Sequence, residues 1–557
     1  MAQGGIHGGE NLPQTASVLV VDDERDMCEL LCLYLEQLGY DVCAVDNGQA
    51  AIDKFAERSF ELAIVDLRME GIDGLEVLQT LQATDPQTSV VIMTGHGSVE
   101  TAVQVMKEGA YDYILKPFRM ERMAVVVARA VERCLLLRTE SKQHITEALR
   151  STIAVVLAGG RGSRLSYFTE QRAKPAMPFG GVFRVIDFPL SNCINSGIRR
   201  VGVLTQYESH DLIQHLQRGW NFLRADLNEF VETWPAQQQT DSISWYLGSA
   251  DAVYQNLRLF SDHDDDYVLI LAGDHVYRQD YSVMLSQHLE RRARATVAYA
   301  EVPVEQASVC GVMKVARNGR VIEFVEKPAS PESSAHRPGY CLASMGIYLF
   351  DSSFLVEQLR LDAANPLSSH EFGKDILPAL VKQQQLMAHR FSDSCVANEN
   401  VPDPYWCDLQ TLDAYWEANL DLTAILPALD LYDQNWPIRT YQERRPPAKF
   451  VYDHNDRRGV AVGSLISAGS IVSGSMVRRS LLGTDVRVHS HCVVEDSIIL
   501  GSSEIGRHSR LRKVIVDLNC RIPRNCVVGE DPLSDARRFY RTAGGVTIIT
   551  QDMLDAL

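Results

Sequence analysis

A chain of 557 residues is too long for a single hydrophobic core and predicts roughly three to four domains. A net charge of −18 excludes a nucleic-acid binder, whose phosphate partner demands a basic footprint, but leaves room for a small phosphate ligand in a local basic pocket. The twelve cysteines form no CxxC pair, the N-terminus lacks a basic-then-apolar leader, and no apolar run approaches the ~20 residues that span a bilayer; reduced thiols, a cytoplasmic location and no membrane association are predicted.

Residues 1–15 are rich in Gly, Gln and Asn and read as a disordered arm. An α/β unit follows. Strand Val18–Val21 ends in Asp22 and Asp23, and an amphipathic helix runs from about Asp26 to Leu38, with Cys28 and Cys32 as core packing. Strand Ala63–Val65 ends in Asp66, Val90–Met93 in Thr94, and Tyr113–Leu115 in Lys116 and Pro117. In open parallel sheets, ligand groups gather at the carboxyl ends of strands. Three carboxylates there can hold Mg²⁺, Asp66 can attack a phosphoryl group, and the hydroxyl and ammonium can hold its oxygens. These residues, with DLRMEGIDGLEVL and MTGHGSVETAVQVMKEGAYDYILKPF, resemble the receiver domain of two-component response regulators over residues 16–132. The resemblance implies Asp66 as phospho-acceptor, Asp22, Asp23 and Asp66 as the Mg²⁺ site, Thr94 and Lys116 as the switch pair and Tyr113 as the rotating aromatic. It also implies a sensor histidine kinase or phosphotransfer protein as partner. Glu70 stands where such domains often carry proline. The other reading of this domain is a dimerisation module that is not phosphorylated.

Residues 120–150 read as one long helix, with Val127, Val131 and Leu135 on one face. Its part from 133 to 150 is assigned as a helical linker, either plain or paired with a second copy.

Residues 151–446 open on the apolar run Ile153–Leu157, a predicted buried parallel strand, followed by LAGGRGSRL. Gly159, Gly160 and Gly162 let backbone N–H groups close on an anion, and Arg161 and Arg164 add phosphate donors. There is no Gly-Lys-Ser/Thr and no dinucleotide spacing, so the loop alone fits either a triphosphate cradle or an ordinary turn. Downstream come Gln171-Arg172-Ala173-Lys174-Pro175, FRVIDFPLSNCINSGI, WYLGSADAVYQN, and strand Tyr267–Leu271 running into Gly273-Asp274-His275. CGVMKV, IEFVEKP, LASMGIYLF, SSHEFGKDILP and PYWCDLQTLDAYWEANLDL follow. These motifs resemble the bacterial ADP-glucose pyrophosphorylases (glucose-1-phosphate adenylyltransferases) across residues 151–557. The resemblance implies a Rossmann-like nucleotidyltransferase domain joining ATP to glucose 1-phosphate in a cytoplasmic homo-oligomer, usually a tetramer. Arg161, Arg164 and Lys174 are then expected on the triphosphate, and Asp274 and Asp408 on Mg²⁺. Glu326 and Lys327 are expected on glucose 1-phosphate, with Gly159, Gly160, Tyr246, Gly311 and Ser344 completing the pocket. Gln410 departs from the family's Gly-Thr near Asp408.

Residues 447–557 carry apolar positions every six residues: Leu465, Ile471 and Val477; Ile499, Ile505 and Leu511; Cys520 and Cys526. That period predicts a left-handed parallel β-helix. His489 and His491 lack an acyl-carrier signature around them, so catalysis is not assigned here.

Fructose-bisphosphate-activated relatives place lysine where this chain has Gln171 and basic residues where it has Gln551 and Asp555. Two arginines of their AMP site align with Asp262 and Leu518. Trp245 and Gln206 match positions linked to allosteric communication. The expected function is an adenylyltransferase for glycogen or α-glucan synthesis controlled by receiver phosphorylation. The competing reading is a signalling protein whose transferase-like domain only senses nucleotide or sugar phosphate.

Overall fold

A computed structural model describes the chain except for residues 1–15, 96–103, 160–164, 171, 207, 237–245, 262–264, 335–336, 398–400, 402 and 452–457. The chain forms two compact units, residues 1–144 and 145–557. Among the described residues, no helix is long and apolar enough to cross a membrane. All twelve cysteines are free.

The first unit is built on short, continuously apolar strands. Val18 to Val21 and Leu62 to Val65 are wholly buried, as a parallel sheet covered on both faces requires. The strands lie in the order Asp41–Val45, Ser17–Val21, Leu62–Asp66, Ser89–Thr94, Asp112–Leu115, every neighbour parallel. Helices Arg25–Gln37, Gly48–Glu57 and Gly74–Thr84 connect them, the last two capped by Asn47 and Asp73 side chains.

Helix Met120–Arg150 buries Met123, Val127, Ala130, Val131 and Cys134. Leu135, expected on that face, is 47% exposed. Successive steps of four overrun a 3.6-residue turn by ~40° each, so the stripe has left the core by Leu135 and Cys134 takes its place. Arg138 then ties the helix to the receiver: its guanidinium donates to Phe60 O (3.0 Å) and Asp85 Oδ2 (2.9 Å) and pairs with Glu61.

In the second unit, Ile145, Ala148 and Leu149 of the same helix join the transferase core. Nine strands among the described residues form one sheet, with Phe230–Pro235, Arg200–Thr205, Thr152–Leu157, Tyr267–Ala272, Tyr340–Asp351, Ala295–Pro303 and Leu386–Arg390 in order. Leu157 and Ala272 are register partners on parallel strands, so the loops after both strands open at one edge. Two additions complete that edge. The hairpin Gly311–Val315/Val321–Glu326 attaches to Tyr340–Asp351. The antiparallel ribbon His275–Tyr277/Trp406–Asp408 pairs His275 with Asp408.

The C-terminal segment is a parallel β-helix with three faces of five, five and six strands among the described residues. Arg487 pairs with Glu504 and Glu504 with Arg521, seventeen residues on each time. From Met476 onward each coil therefore holds two six-residue steps and one of five, while the coil before it is one residue shorter, Ile471 pairing with Arg487. Left-handed backbone marks the corners, at Asp485, His491, Asp496, Ser502, His508, Lys513, Asn519 and Asn525. The next residue is small and buried, as at Ser497, Ser503 and Cys520, and two positions further comes a large one, as at Ile499, Ile505 and Ile522. The expected apolar series is corrected accordingly. Val472, not the half-buried Ile471, fills the large position, and Cys520 and Cys526 belong to the small ladder. The serines of that ladder bond between coils: Ser503 Oγ donates to Asp517 O (2.8 Å) and accepts from Cys520 N (3.2 Å).

Candidate active site

One cavity of about 620 Å³ opens at the sheet edge and brings together every described transferase position named from the sequence: Gly159, Lys174, Tyr246, Asp274, Gly311, Glu326, Lys327, Ser344 and Asp408. Gly160, Arg161 and Arg164 lie outside the described residues, as do Gln171, Trp245 and Asp262. Gln206 lies along the same wall.

At one end stands a charge cluster. Asp274 follows strand Tyr267–Ala272, and the ribbon carries Asp408 beside it. Lys174 Nζ reaches Asp274 Oδ2 at 2.7 Å and Asp408 Oδ1 at 3.1 Å. His275 Nε2 lies 3.6 Å from Asp274 Oδ1 and 3.5 Å from Asp408 Oδ2. Burial opposes charge on Asp408, but His275 and Lys174 outweigh it and hold the carboxyl well below the usual carboxylate range. Burial likewise opposes the Lys174 ammonium, and the two carboxylates raise it above its ordinary value. Asp274, His275 and Asp408 offer ligand atoms within 4.8 Å of one another, and two hard carboxylates suit a divalent cation. Gln410 does not plug the cavity. Its side-chain amide donates to Asp408 Oδ2 and its backbone N–H to Asp408 O (2.8 Å).

The other end is shaped by the hairpin. Lys327 Nζ pairs with Glu326 Oε1 at 3.2 Å, and Lys327 N donates to Cys310 O at 3.0 Å. Glu326 is wedged between two glycines. A Cβ on Gly311 would meet its Oε2 at 2.7 Å, and one on Gly373 at 2.3 Å. Gly311 is therefore fixed by close approach. Gly373 lies in a π-helical turn, Phe372–Ile376. The roles of Gly373 and His275 are not read from the sequence, although both sit inside the motifs quoted above, whereas Gln410 is singled out there. Tyr246 OH accepts from Asn256 Nδ2 (3.0 Å), and Ser344 Oγ accepts weakly from Gly346 N (3.4 Å).

The receiver has its own cluster. Asp22, Asp23 and Asp66 offer oxygens within 4.8 Å of one another. Lys116 Nζ lies 2.6 Å from Asp22 Oδ2 and 3.2 Å from Asp66 Oδ1. Burial raises the Asp66 carboxyl above its ordinary value, against the opposing pull of Lys116. Lys116 N donates to Thr94 O (2.8 Å), which ties the ends of the two strands together. Tyr113 is half-buried against the core cluster that holds Val65, Val90 and Ile92. Glu70 is exposed at a hollow shared with Asp23, Arg68 and Asp73.

Family models match in three places: nucleotidyl transferase over residues 153–425, a GlmU-like C-terminal hexapeptide domain over 446–549, and a response regulator receiver domain over 18–128. A nucleotidyltransferase domain with a hexapeptide β-helix behind it and a response-regulator receiver in front is thus the class that fold and sites define. The chain is similar to a glucose-1-phosphate adenylyltransferase of Rhodospirillum rubrum, 56% identical over 419 residues, 75% of this chain and 99% of the relative. It is also similar to those of Paramagnetospirillum magneticum (55% over 414 residues, 74% and 96%) and Nitrosospira multiformis (55% over 409 residues, 73% and 96%). The chain belongs to the glucose-1-phosphate adenylyltransferase family. About a quarter of it has no counterpart in the Rhodospirillum relative, a length that the receiver unit accounts for.

Proposed function

We propose that this chain transfers the adenylyl group of ATP to glucose 1-phosphate, releasing pyrophosphate and making ADP-glucose for α-glucan synthesis, under the control of phosphorylation at Asp66. The observation that carries the reading is the single cavity with Lys174, Asp274 and Asp408 at one end and Glu326 and Lys327 at the other. A phosphate oxygen of glucose 1-phosphate attacks the α-phosphorus of ATP in line. The new P–O bond forms as the bond to the β-phosphate oxygen breaks, and pyrophosphate leaves. The protein's part is to position and to neutralise charge. Lys327 holds the sugar phosphate, Glu326 accepts from sugar hydroxyls, and Lys174, with Arg161 and Arg164, meets the triphosphate. Mg²⁺, when bound at Asp274 and Asp408, neutralises charge on the reacting phosphates.

In the receiver, an Asp66 carboxylate oxygen attacks the phosphorus of a phosphohistidine on a kinase or phosphotransfer protein, and the acyl P–O bond forms as the P–N bond breaks and the imidazole leaves; Asp22, Asp23 and Asp66 would hold Mg²⁺, which would neutralise charge on the phosphoryl group. Lys116 and Thr94 hold the added oxygens and Tyr113 follows them. The enzyme works as a cytoplasmic homotetramer and responds weakly to fructose 1,6-bisphosphate. Leu518 packs in an apolar cluster, and Gln551 is engaged by Arg521 N (2.8 Å) and Asp555 (2.7 Å), so neither supplies a cation for an anionic effector.

The test is pyrophosphate release from ATP and glucose 1-phosphate with Mg²⁺, with and without acetyl phosphate. Asp274→Asn is expected to lower kcat about 100-fold or more. The rate should change with acetyl phosphate in the parent and not in Asp66→Asn. A rate indifferent to the donor in both leaves an enzyme with a passive receiver. No pyrophosphate under any condition returns the sensor reading.

A further inference from the structure

Arg172 lies two residues before Lys174 and points away from the cavity cluster, into the β-helix. Its Nη1 and Nη2 meet Asp517 Oδ1 and Oδ2 at 2.7 and 3.1 Å, a parallel two-bond fork. The two side chains are only 9% and 13% exposed. Asp517 follows strand Val514–Val516 and is itself held, its N–H donating to Ile549 O (2.9 Å) and its carbonyl accepting from Ser503 Oγ (2.8 Å). On the other side of Arg172, the chain is held by backbone bonds and by the Arg184 guanidinium, which donates to Ala176 O. Ala173 N donates to Glu208 O (3.3 Å), and Lys174 opens a short 3₁₀ turn closed by Met177 N on Lys174 O (3.1 Å).

A buried ion pair is a poor device for stability alone, since apolar residues of the same volume often do as well. A forked pair is a good device for orientation, because it fixes both distance and plane. The segment it fixes carries the flexible lysine stem whose ammonium must reach two carboxylates at once, and misplacement by ~1 Å at such a site costs about 10²-fold in rate.

We propose that Arg172 and Asp517 are positioning residues for adenylyl transfer: the β-helix coil, through Asp517, holds Arg172 and so sets the reach of Lys174 onto Asp274 and Asp408. Neither residue touches the cavity or the reacting atoms. The β-helix is on this account part of the catalytic frame as well as a structural stack.

The test compares Asp517→Asn and Arg172→Lys with the parent as full-length enzymes. Rates are expressed per folded molecule, from near-UV circular dichroism and thermal melts at the assay temperature. Asp517→Asn is expected to lose about tenfold or more in kcat, with the KM for glucose 1-phosphate within twofold, because Glu326 and Lys327 stand on a separate hairpin. Arg172→Lys, which keeps the charge but not the fork, is expected to fall between the two. Should Asp517→Asn fail to fold, Arg172→Lys decides alone, by a kcat loss of more than twofold with an unchanged KM. A kcat within twofold of the parent per folded molecule overturns the proposal. So does a parallel rise in the KM for glucose 1-phosphate, which would mark general loosening of the cavity.

Discussion

The wedge around Glu326 makes a direct prediction. Gly373→Ala places a methyl group 2.3 Å from the Glu326 carboxylate and forces it to move. The KM for glucose 1-phosphate should rise about tenfold, a cost of roughly 1.4 kcal/mol, while the KM for ATP holds, as steady-state kinetics can read. A second residue reports on pH. His389 is fully buried, with Nδ1 on Gln287 Oε1 (2.9 Å) and Nε2 on Ser394 Oγ (2.7 Å), and Ser394 Oγ in turn accepts from Gln279 Nε2 (3.0 Å). Burial, with help from the Arg291 charge, pushes the imidazole down from 6.5 to about 4, despite Asp393. The unfolded chain therefore binds this proton first. Stability from this group is complete above about pH 6.5, falls on acidification toward pH 4, and is about 2 kcal/mol lower at pH 5. Denaturant unfolding at pH 7 and pH 5 should show that loss in the parent and a smaller one in His389→Gln. Lys174, Asp274 and Asp408 are legible as candidate charged groups because each sits in a dense local motif, while Glu326 and Lys327 are picked out by family resemblance, and all five line one cavity. His275 was not legible, because its role comes from the register of a ribbon joining segments far apart in the chain, whereas Gln410 stands out in the sequence by its departure from Gly-Thr and bonds Asp408 locally.

At the scale of elements, four of the five receiver strands read from the sequence, most directly the buried runs ending in Asp22 and Asp66, whereas the half-exposed edge strand Asp41–Val45 lacks a continuous apolar run and did not. The β-helix was legible as a period and misread in phase. A six-residue repeat shows in the sequence, but the five-residue step that closes each coil is set by corner geometry, and it shifts the series between ladders. Ile505 and Ile471 both fit the six-residue reading, yet Ile505 is wholly buried and Ile471 is not. Ile505→Ala should cost about 2–5 kcal/mol in urea unfolding, and Ile471→Ala well under half of that. Equal losses would restore the simple six-residue series. The long helix shows the same limit, as its existence followed from composition, while the last residue of its buried face depended on accumulated rotation.

For the whole molecule, the decisive feature is a helix rooted in two cores. Arg138 fixes it in the receiver, and Ile145, Ala148 and Leu149 fix it in the transferase, so few residues lie between the anchors. One alanine inserted between residues 139 and 144 shifts the phase of the helix by ~100°, whereas four inserted alanines bring it back to within about 40°. The single insertion should abolish the response of pyrophosphate release to acetyl phosphate and the fourfold insertion should retain part of it, both with near-parent basal rates. Equal responses in the two variants would mean that the signal does not travel along the helix. The β-helix places a different constraint on how such a chain changes over generations. Its corners, small ladder and large ladder recur at every step, but the five-residue step returns to the same face only after a full seventeen-residue coil. Duplicating or deleting one hexapeptide would move the five-residue step to another face in every coil beyond it and so break the register of the stacked faces. A whole coil gained or lost leaves those ladders in phase, so the heritable unit of this domain is the coil.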